Sequence, residues 1–274
     1  MRTLVHLSDL HFGRVDYRIV DAVLATIHEI APSLVVVSGD LTQRARSHEF
    51  KEARRFLDAL PADVPQIVVP GNHDVPLYDV FERFAAPLEK YKKYITTDLR
   101  PYYADEEIAV LGVNTARSLT IKGGRISEEQ IGWIRERLCP TTEAAVKIVV
   151  THHPFDLPEG YEERDLVGRA RIAMKMLAEC GADVFLAGHL HVSHIGETAH
   201  RYKIKGHSAL VIQAGTATST RERGEDNSFN LIRIEPPGLS VERLVWQDDK
   251  SQFAVDEIKR YCQTENGWVR DYSE

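Results

Sequence analysis

The chain has 274 residues, of which 43% are hydrophobic and 27% charged, and its formal net charge is -7. Such a composition fits a soluble globular protein and excludes collagen-like, coiled-coil and disordered chains. The acidic balance gives no general electrostatic help in gripping long duplex nucleic acid, so a nucleic-acid partner is disfavoured.

Residues 3–7 form a short apolar run that reads as a buried strand. Ile19, Val20, Val23, Leu24, Ile27 and Ile30 then recur at helical spacing until Pro32. Residues 34–37 are a second strand. Ser47 is placed to cap a helix whose apolar face is Phe50, Ala53, Phe56, Leu57 and Leu60, and residues 66–69 are a third strand. This alternation predicts a largely parallel sheet. Residues 75–100 are mixed and aromatic, helical in part. Residues 108–113 read as a strand, and Ser127 with Gln130 forms a capping box before Ile131, Ile134 and Leu138. Residues 146–150 are a strand. Leu166, Val167, Ala170, Ala173, Met174, Leu177 and Cys180 line one helix face, with Gly181 as the stop. After the strand at 184–187 the pattern changes to strands without helices, at 210–214, 230–234 and 241–246. These read as a second sheet with hairpin connections. Residues 1–247 are expected to be one domain, with 248–274 a C-terminal tail packed on it or extending from it, including a short helix near 255–261.

No apolar run is long enough to span a bilayer. Residues 1–9 do not read as a signal peptide, because the apolar stretch is short and runs into polar ligands. Cys139, Cys180 and Cys262 are far apart and odd in number. They read as buried or free thiols of a reducing, cytoplasmic compartment.

Five clusters of metal-type ligands each follow a strand: Asp9-Leu10-His11, Gly39-Asp40, Gly71-Asn72-His73-Asp74, Thr151-His152-His153-Pro154 and Gly188-His189-Leu190-His191. In α/β sheets, ligands gather beyond the carboxyl ends of strands, so residues distant in sequence can meet at one rim. Singly, each cluster also reads as a turn or a surface imidazole. Together they predict a site for two metal ions. Carboxylates, imidazoles and one amide, with no thiolate, suit Mn, Fe, Zn or Co. His6, His28, His48, His200 and His207 fall outside the clusters and read as structural or surface residues, and His194 sits near the rim. Arg14, Asn114, Arg117, Arg125 and Arg223 read as substrate contacts or as solvated loop residues.

The ordered set Asp-x-His, Gly-Asp, Gly-Asn-His-Asp, His and Gly-His-x-His resembles the calcineurin-like metallophosphoesterase superfamily. The Gly-Asn-His-Asp form and the spacing resemble its cyclic-nucleotide and glycerophosphodiester phosphodiesterase branch. The resemblance implies a two-sheet β-sandwich flanked by helices, an αββα arrangement. It implies that Asp9, His11 and His191 bind one divalent or mixed-valence transition-metal ion, that Asn72, His152 and His189 bind another, and that Asp40 bridges both. A metal-bridging hydroxide then attacks phosphorus, His73 protonates the leaving alkoxide, and Asp74 orients the turn. Of the histidine pair, the family pattern makes His152 the ligand and leaves His153 a substrate contact or a group that supports the ligands.

Two divalent ions, two carboxylates and one hydroxide sum to about +1, which a phosphodiester monoanion neutralises. The expected activity is therefore metal-dependent hydrolysis of small phosphodiesters. Alternatives are a DNA nuclease, a nucleotide-lipid pyrophosphatase that would need an apolar insertion such as 75–100, and a non-catalytic metal-binding scaffold. The phosphoprotein phosphatases of the superfamily carry an extra Asp and Arg motif after Gly-Asp, which this chain does not reproduce. The sequence does not specify the oligomer.

Overall fold

The computed structural model describes residues 1–120, 122–142, 145–220 and 225–272. β1 (Arg2–Leu7), α1 (Tyr17–Ile30), β2 (Leu34–Val37), α2 (Ser47–Asp58) and β3 (Gln66–Val68) open the chain. Two short helices, α3 (Val80–Ala85) and α4 (Glu89–Tyr94), lead to β4 (Tyr102–Ala104) and β5 (Ile108–Gly112). Then come α5 (Glu128–Leu138), β6 (Val146–Val150), α6 (Ala170–Glu179), β7 (Val184–Ala187), β8 (His194–Glu197), α7 (Thr198–Tyr202) and β9 (Leu210–Gln213). The chain closes with β10 (Ser228–Glu235), β11 (Gly238–Gln247), β12 (Gln252–Thr264) and β13 (Gly267–Asp271).

The strands form a seven-stranded sheet, β13-β12-β11-β10-β1-β2-β3, and a six-stranded sheet, β4-β5-β6-β7-β9-β8. Parallel pairing joins β1, β2 and β3 in one sheet and β5, β6, β7 and β9 in the other. The central strands are buried on both faces, which is why they read as largely apolar runs, broken by His6 in β1 and Lys147 in β6. Their alternation sorts side chains into layers. Leu4, Val36, Val110 and Ile148 meet between the sheets. Val5, Leu7, Val35 and Val37 pack outward on α1 and α2, through residues such as Val23 and Phe50. Leu111, Val149 and Phe185 pack outward on α5 and α6, through Ile134 and Leu177. The result is the helix–sheet–sheet–helix sandwich that the resemblance implied.

Several expectations need correction. The late strands make no sheet of their own: β10 pairs antiparallel with β1 and extends the first sheet, while β9 pairs parallel with β7 in the second. A short helix, α7, also interrupts the late strands. Residues 255–261 belong to strand β12, not to a helix. A bulge in the β11–β12 register pairs Leu244 with Val255 and Arg243 with Glu257. Phe253 therefore faces the helix layer while Tyr261 faces the inter-sheet core, and the apolar spacing loses its period of two. Ser47 is the first helical residue of α2, not its cap; Glu49 Oε2 accepts the Arg46 N–H at 3.1 Å and the Arg44 N–H at 2.8 Å. The capping box of Ser127 and Gln130 is present.

The thiol expectation fails for two of the three cysteines. Cys139 and Cys180 form a disulfide with Cα atoms 4.3 Å apart. They cap the C-termini of α5 and α6, whose ends lie side by side and are also joined by Arg135 and Glu179 at 3.1 Å. Cys262 is a free thiol. Among the described residues, no helix is long and apolar enough to cross a membrane.

Candidate metal centre

Parallel pairing points the carboxyl ends of β1, β2 and β3 one way, and those of β6 and β7 meet them at the same rim. Asp9 and His11 follow β1, Asp40 follows β2, and Asn72 and His73 follow β3. His152 and His153 follow β6; His189 and His191 follow β7. Asp9 (φ 53), His11 (φ 51), Asp40 (φ 51), His189 (φ 76) and His191 (φ 61) all adopt the left-handed backbone region. Non-glycine residues enter it at a cost, and such strain gathers at functional sites.

One donor group contains Asp9, His11, Asp40 and His191. Asp9 Oδ2 accepts the Ser8 hydroxyl at 2.7 Å and the His189 N–H at 3.0 Å. Asp9 Oδ1 is buried, accepts no hydrogen bond among the described residues, and stands 3.5 Å from His11 Nε2 and 3.4 Å from His191 Nε2. The His11 and His191 Nε2 atoms are 3.4 Å apart, and the other His191 nitrogen, Nδ1, pairs with Thr216 Oγ1 at 2.9 Å.

The second group centres on Asn72 Oδ1, which lies 3.1 Å from His152 Nε2 and 3.0 Å from His189 Nδ1. His152 Nδ1–H donates to Ser38 O at 2.8 Å, which leaves Nε2 as the nitrogen that faces Asn72. Asp40 stands between the groups. Its Oδ1 accepts the His73 N–H at 2.8 Å and is 3.4 Å from His152 Nε2; its Oδ2, buried and without a hydrogen bond among the described residues, is 3.8 Å from His11 Nε2.

Ring nitrogens of His152, His153 and His189 also come within 4.8 Å of one another. Both His153 nitrogens are committed to the protein, however: Nδ1 pairs with Thr115 Oγ1 and Nε2–H donates to Lys122 O, each at 2.8 Å. Of the pair, His152 is the residue whose lone pair faces the other donors.

The electrostatics follow from burial. Burial alone would raise the Asp9 carboxyl, but the imidazoles of His191, His11 and His152 hold it below the ordinary range. Asp40 is held well below that range against burial by His152, His73 and His11. His152 is raised to about 9: burial opposes protonation, and Asp40 outweighs it. His189 is lowered to about 3 by burial and by His152. Buried carboxylate oxygens without hydrogen-bond donors are costly unless a cation meets them. Asp9 Oδ1 and Asp40 Oδ2, facing imidazole nitrogens across short gaps, form a donor set that fits divalent transition metals.

His73 Nδ1–H donates to Gln43 O at 2.8 Å, and its ring stands edge-on to His11 at 4.9 Å. His73 borders a cavity of about 340 Å³ whose wall carries Arg14, Arg44, Tyr78 and Lys122. Asp74 ties the turn in place. Its carboxylate accepts the N–H groups of Leu41, Thr42 and Gly71 and the Thr42 hydroxyl, and burial next to Asp40 raises it to about 6. His194 faces a different cavity, of about 860 Å³, with Asp156 and Lys259. Arg117, Arg125 and Asn114 line a third, and Arg223 lies outside the described residues. Sequence reasoning missed Ser8, Gln43 and Thr216, which fix Asp9, His73 and His191. Ser8 adjoins its partner in sequence, whereas nothing local marks the other two.

The fold and the donor set define a class: an α/β sandwich with a candidate metal centre at the rim of both sheets. The chain belongs to the calcineurin-like phosphoesterase family, whose model matches residues 2–193. It is 29% identical over 208 residues to a probable glycerophosphodiester phosphodiesterase of Arcobacter nitrofigilis, which covers 69% of this chain and 71% of the relative. It is 23% identical over 267 residues to a probable cyclic nucleotide phosphodiesterase of Synechococcus sp., covering 92% and 95% of the two chains. A dimetal phosphatase from Danio rerio has the same fold, with a TM-score of 0.61 at 15% identity over 88% of this chain and 95% of that one.

Proposed function

We propose that this protein hydrolyses small phosphodiesters, of the cyclic-nucleotide or glycerophosphodiester type, with two metal ions. Asp9, His11 and His191 would hold one ion, Asn72, His152 and His189 the other, and Asp40 both. The observation that carries this reading is the split of Asp40: one carboxylate oxygen faces His152 and the other faces His11. Both relatives named above are phosphodiesterases by name, which supports the diester over the monoester.

Divalent ions in such a site supply Lewis acidity and lower the pKa of water. The chain's own residues do the rest. Asp9 and Asp40 bring the negative charge that retains cations. Arg14, Arg44 and Lys122 draw an anion into the cavity beside His73. Water loses one proton to solvent as its oxygen bonds to phosphorus, the P–O bond to one alkoxide breaks, and His73 delivers a proton to that alkoxide, which leaves as the alcohol. The Nδ1–H bond to Gln43 O fixes the His73 ring so that Nε2 is the nitrogen that transfers the proton. A cavity of about 340 Å³ suits a small diester better than a duplex.

The test compares bis(4-nitrophenyl) phosphate with 4-nitrophenyl phosphate on manganese-loaded protein. Faster turnover of the diester is expected. Faster turnover of the monoester would overturn the substrate assignment, and no turnover of either would overturn the activity.

A further inference from the structure

The loop between β5 and α5 separates two cavities. On its inner side, Thr115 Oγ1 and Lys122 O hold both ring nitrogens of His153, whose ring centre is 4.5 Å from that of His189. On its outer side it walls a cavity of about 550 Å³ whose lining includes four arginines, Arg100, Arg117, Arg125 and Arg169. Two of these are neutralised within the protein: Arg100 pairs with Glu129, and Arg169 with Glu128 at 3.2 Å. Arg117 and Arg125 have no carboxylate partner among the described residues. Arg117 is half-buried, and its Nη2 donates to a neutral acceptor, Gln130 Oε1, at 2.6 Å. Burial and the neighbouring Arg125 push its guanidinium below the ordinary value.

Asn114 completes the arrangement. It is only 8% exposed, yet it lines the same cavity. Its Oδ1 accepts the Ala116 N–H at 2.9 Å, and its main-chain carbonyl accepts Gln130 Nε2–H at 2.6 Å. Its Nδ2 amide has no protein partner among the described residues. Two guanidinium groups without a carboxylate partner and the amide N–H₂ of a largely buried asparagine therefore border one space, all of them donors. A planar guanidinium with free N–H groups is suited to a carboxylate or phosphate, which accepts several such bonds at once. The N-terminus of α5, capped by Ser127, opens on the same cavity and adds the positive end of its dipole.

The geometry points to a second anion subsite here, occupied by a phosphate or carboxylate that the substrate carries in addition to its scissile diester. The inference rests on the phosphodiesterase reading above, because only one loop separates this cavity from the one beside His73. Arg83 borders that first cavity, and its Nε–H and Nη2–H donate to Ser118 O at 2.7 Å and Thr120 O at 2.5 Å, residues that line the second. Preferred substrates are then diesters in which one alcohol bears its own anionic group.

Two 4-nitrophenyl phosphodiesters of the same short diol test this, one ending in hydroxyl and one in phosphate. In the wild type the phosphate-ended ester should have a KM lower by about ten-fold or more, since a charge-assisted pair is worth roughly 1.5–3 kcal/mol. In R117Q/R125Q the ratio of the two KM values should fall to near one. R125Q alone, at an exposed position, should lower the ratio with a melting temperature close to that of the wild type. Melting temperature in added inorganic sulfate gives a readout independent of turnover: the wild type should gain more than R117Q/R125Q. Equal KM values in the wild type would overturn the assignment to the substrate. Equal sulfate shifts in the two proteins would overturn the subsite itself. If neither ester is turned over, the phosphodiesterase reading fails, and the sulfate comparison still judges the subsite.

Discussion

Gly71→Ala should break the rim at its centre. Gly71 has an ordinary φ of -100, so the requirement is for space and not for backbone freedom. An added Cβ would sit 2.1 Å from Asp40 Oδ1 and 2.3 Å from the Asp40 main-chain nitrogen. Non-bonded carbon needs roughly 3.5 Å, so these atoms must part by about 1.2–1.4 Å. Asp40 is buried, and its Oδ1 is fixed by the His73 N–H at 2.8 Å, so there is no slack to absorb the shift. Overpacking costs about 1–3 kcal/mol, and loss of a hydrogen bond to a charged group costs about 1.5–3 kcal/mol. Together the loss is roughly 3–5 kcal/mol, a large part of the 5–15 kcal/mol that holds a typical domain. A displacement of about 1 Å at the reacting centre should also lower kcat by about 100-fold. Urea unfolding in chelator measures the first effect; metal content after gel filtration and kcat measure the second. Gly132→Ala is the control, because Gly132 lies in α5 with nothing within 4 Å of an added Cβ. That variant should gain about 0.5–1 kcal/mol. A Gly71→Ala protein with wild-type midpoint, metal content and turnover would refute the reasoning.

His73→Gln should lose about 10²–10⁴-fold in kcat on a diester while retaining its metals; unchanged turnover would remove His73 from proton transfer. Thr216→Val deletes the 2.9 Å partner of His191 Nδ1 and should weaken metal binding by about 10–100-fold, read by competition with a chromogenic chelator, where an unaltered affinity would count against the site. His6, buried and bonded to Ser38 Oγ at 2.9 Å, is lowered by burial from 6.5 to about 3, partly offset by Asp9. Because its folded pKa lies below the unfolded value, the stability it contributes is present above about pH 6.5 and is lost as pH falls towards 3, at about 1.4 kcal/mol per pH unit. The midpoint of urea unfolding in His6→Gln should therefore drop less between pH 7.5 and pH 5 than in the wild type, and parallel slopes would contradict this assignment.

Much of the donor set was legible along the chain because each cluster adjoins its own strand. Leu4, Val5 and Leu7 are apolar, and the next residues, Ser8 and Asp9, are not; that contrast marks a strand end without any knowledge of its neighbours. The same holds before Asp40, Asn72, His152 and His189. Partners were not legible where contacts are distant. Thr216 reaches His191 across 25 positions, and Gln43 reaches His73 across 30. Cys139 and Cys180 are 41 residues apart and meet only because two helices end side by side. The strand at 252–264 misled because a bulge shifted its apolar spacing towards a helical period.

By itself, then, the sequence determined the strand–helix alternation and which residue types end the strands, since both depend on local periodicity and short-range turn chemistry. Tertiary structure alone decided which sheet each strand joined, that Asp40 faces both donor groups, and that Arg117 and Arg125 line one cavity without a carboxylate partner among the described residues. Those outcomes depend on how two sheets stack and on the direction each loop takes as it leaves them, and no local pattern carries that information.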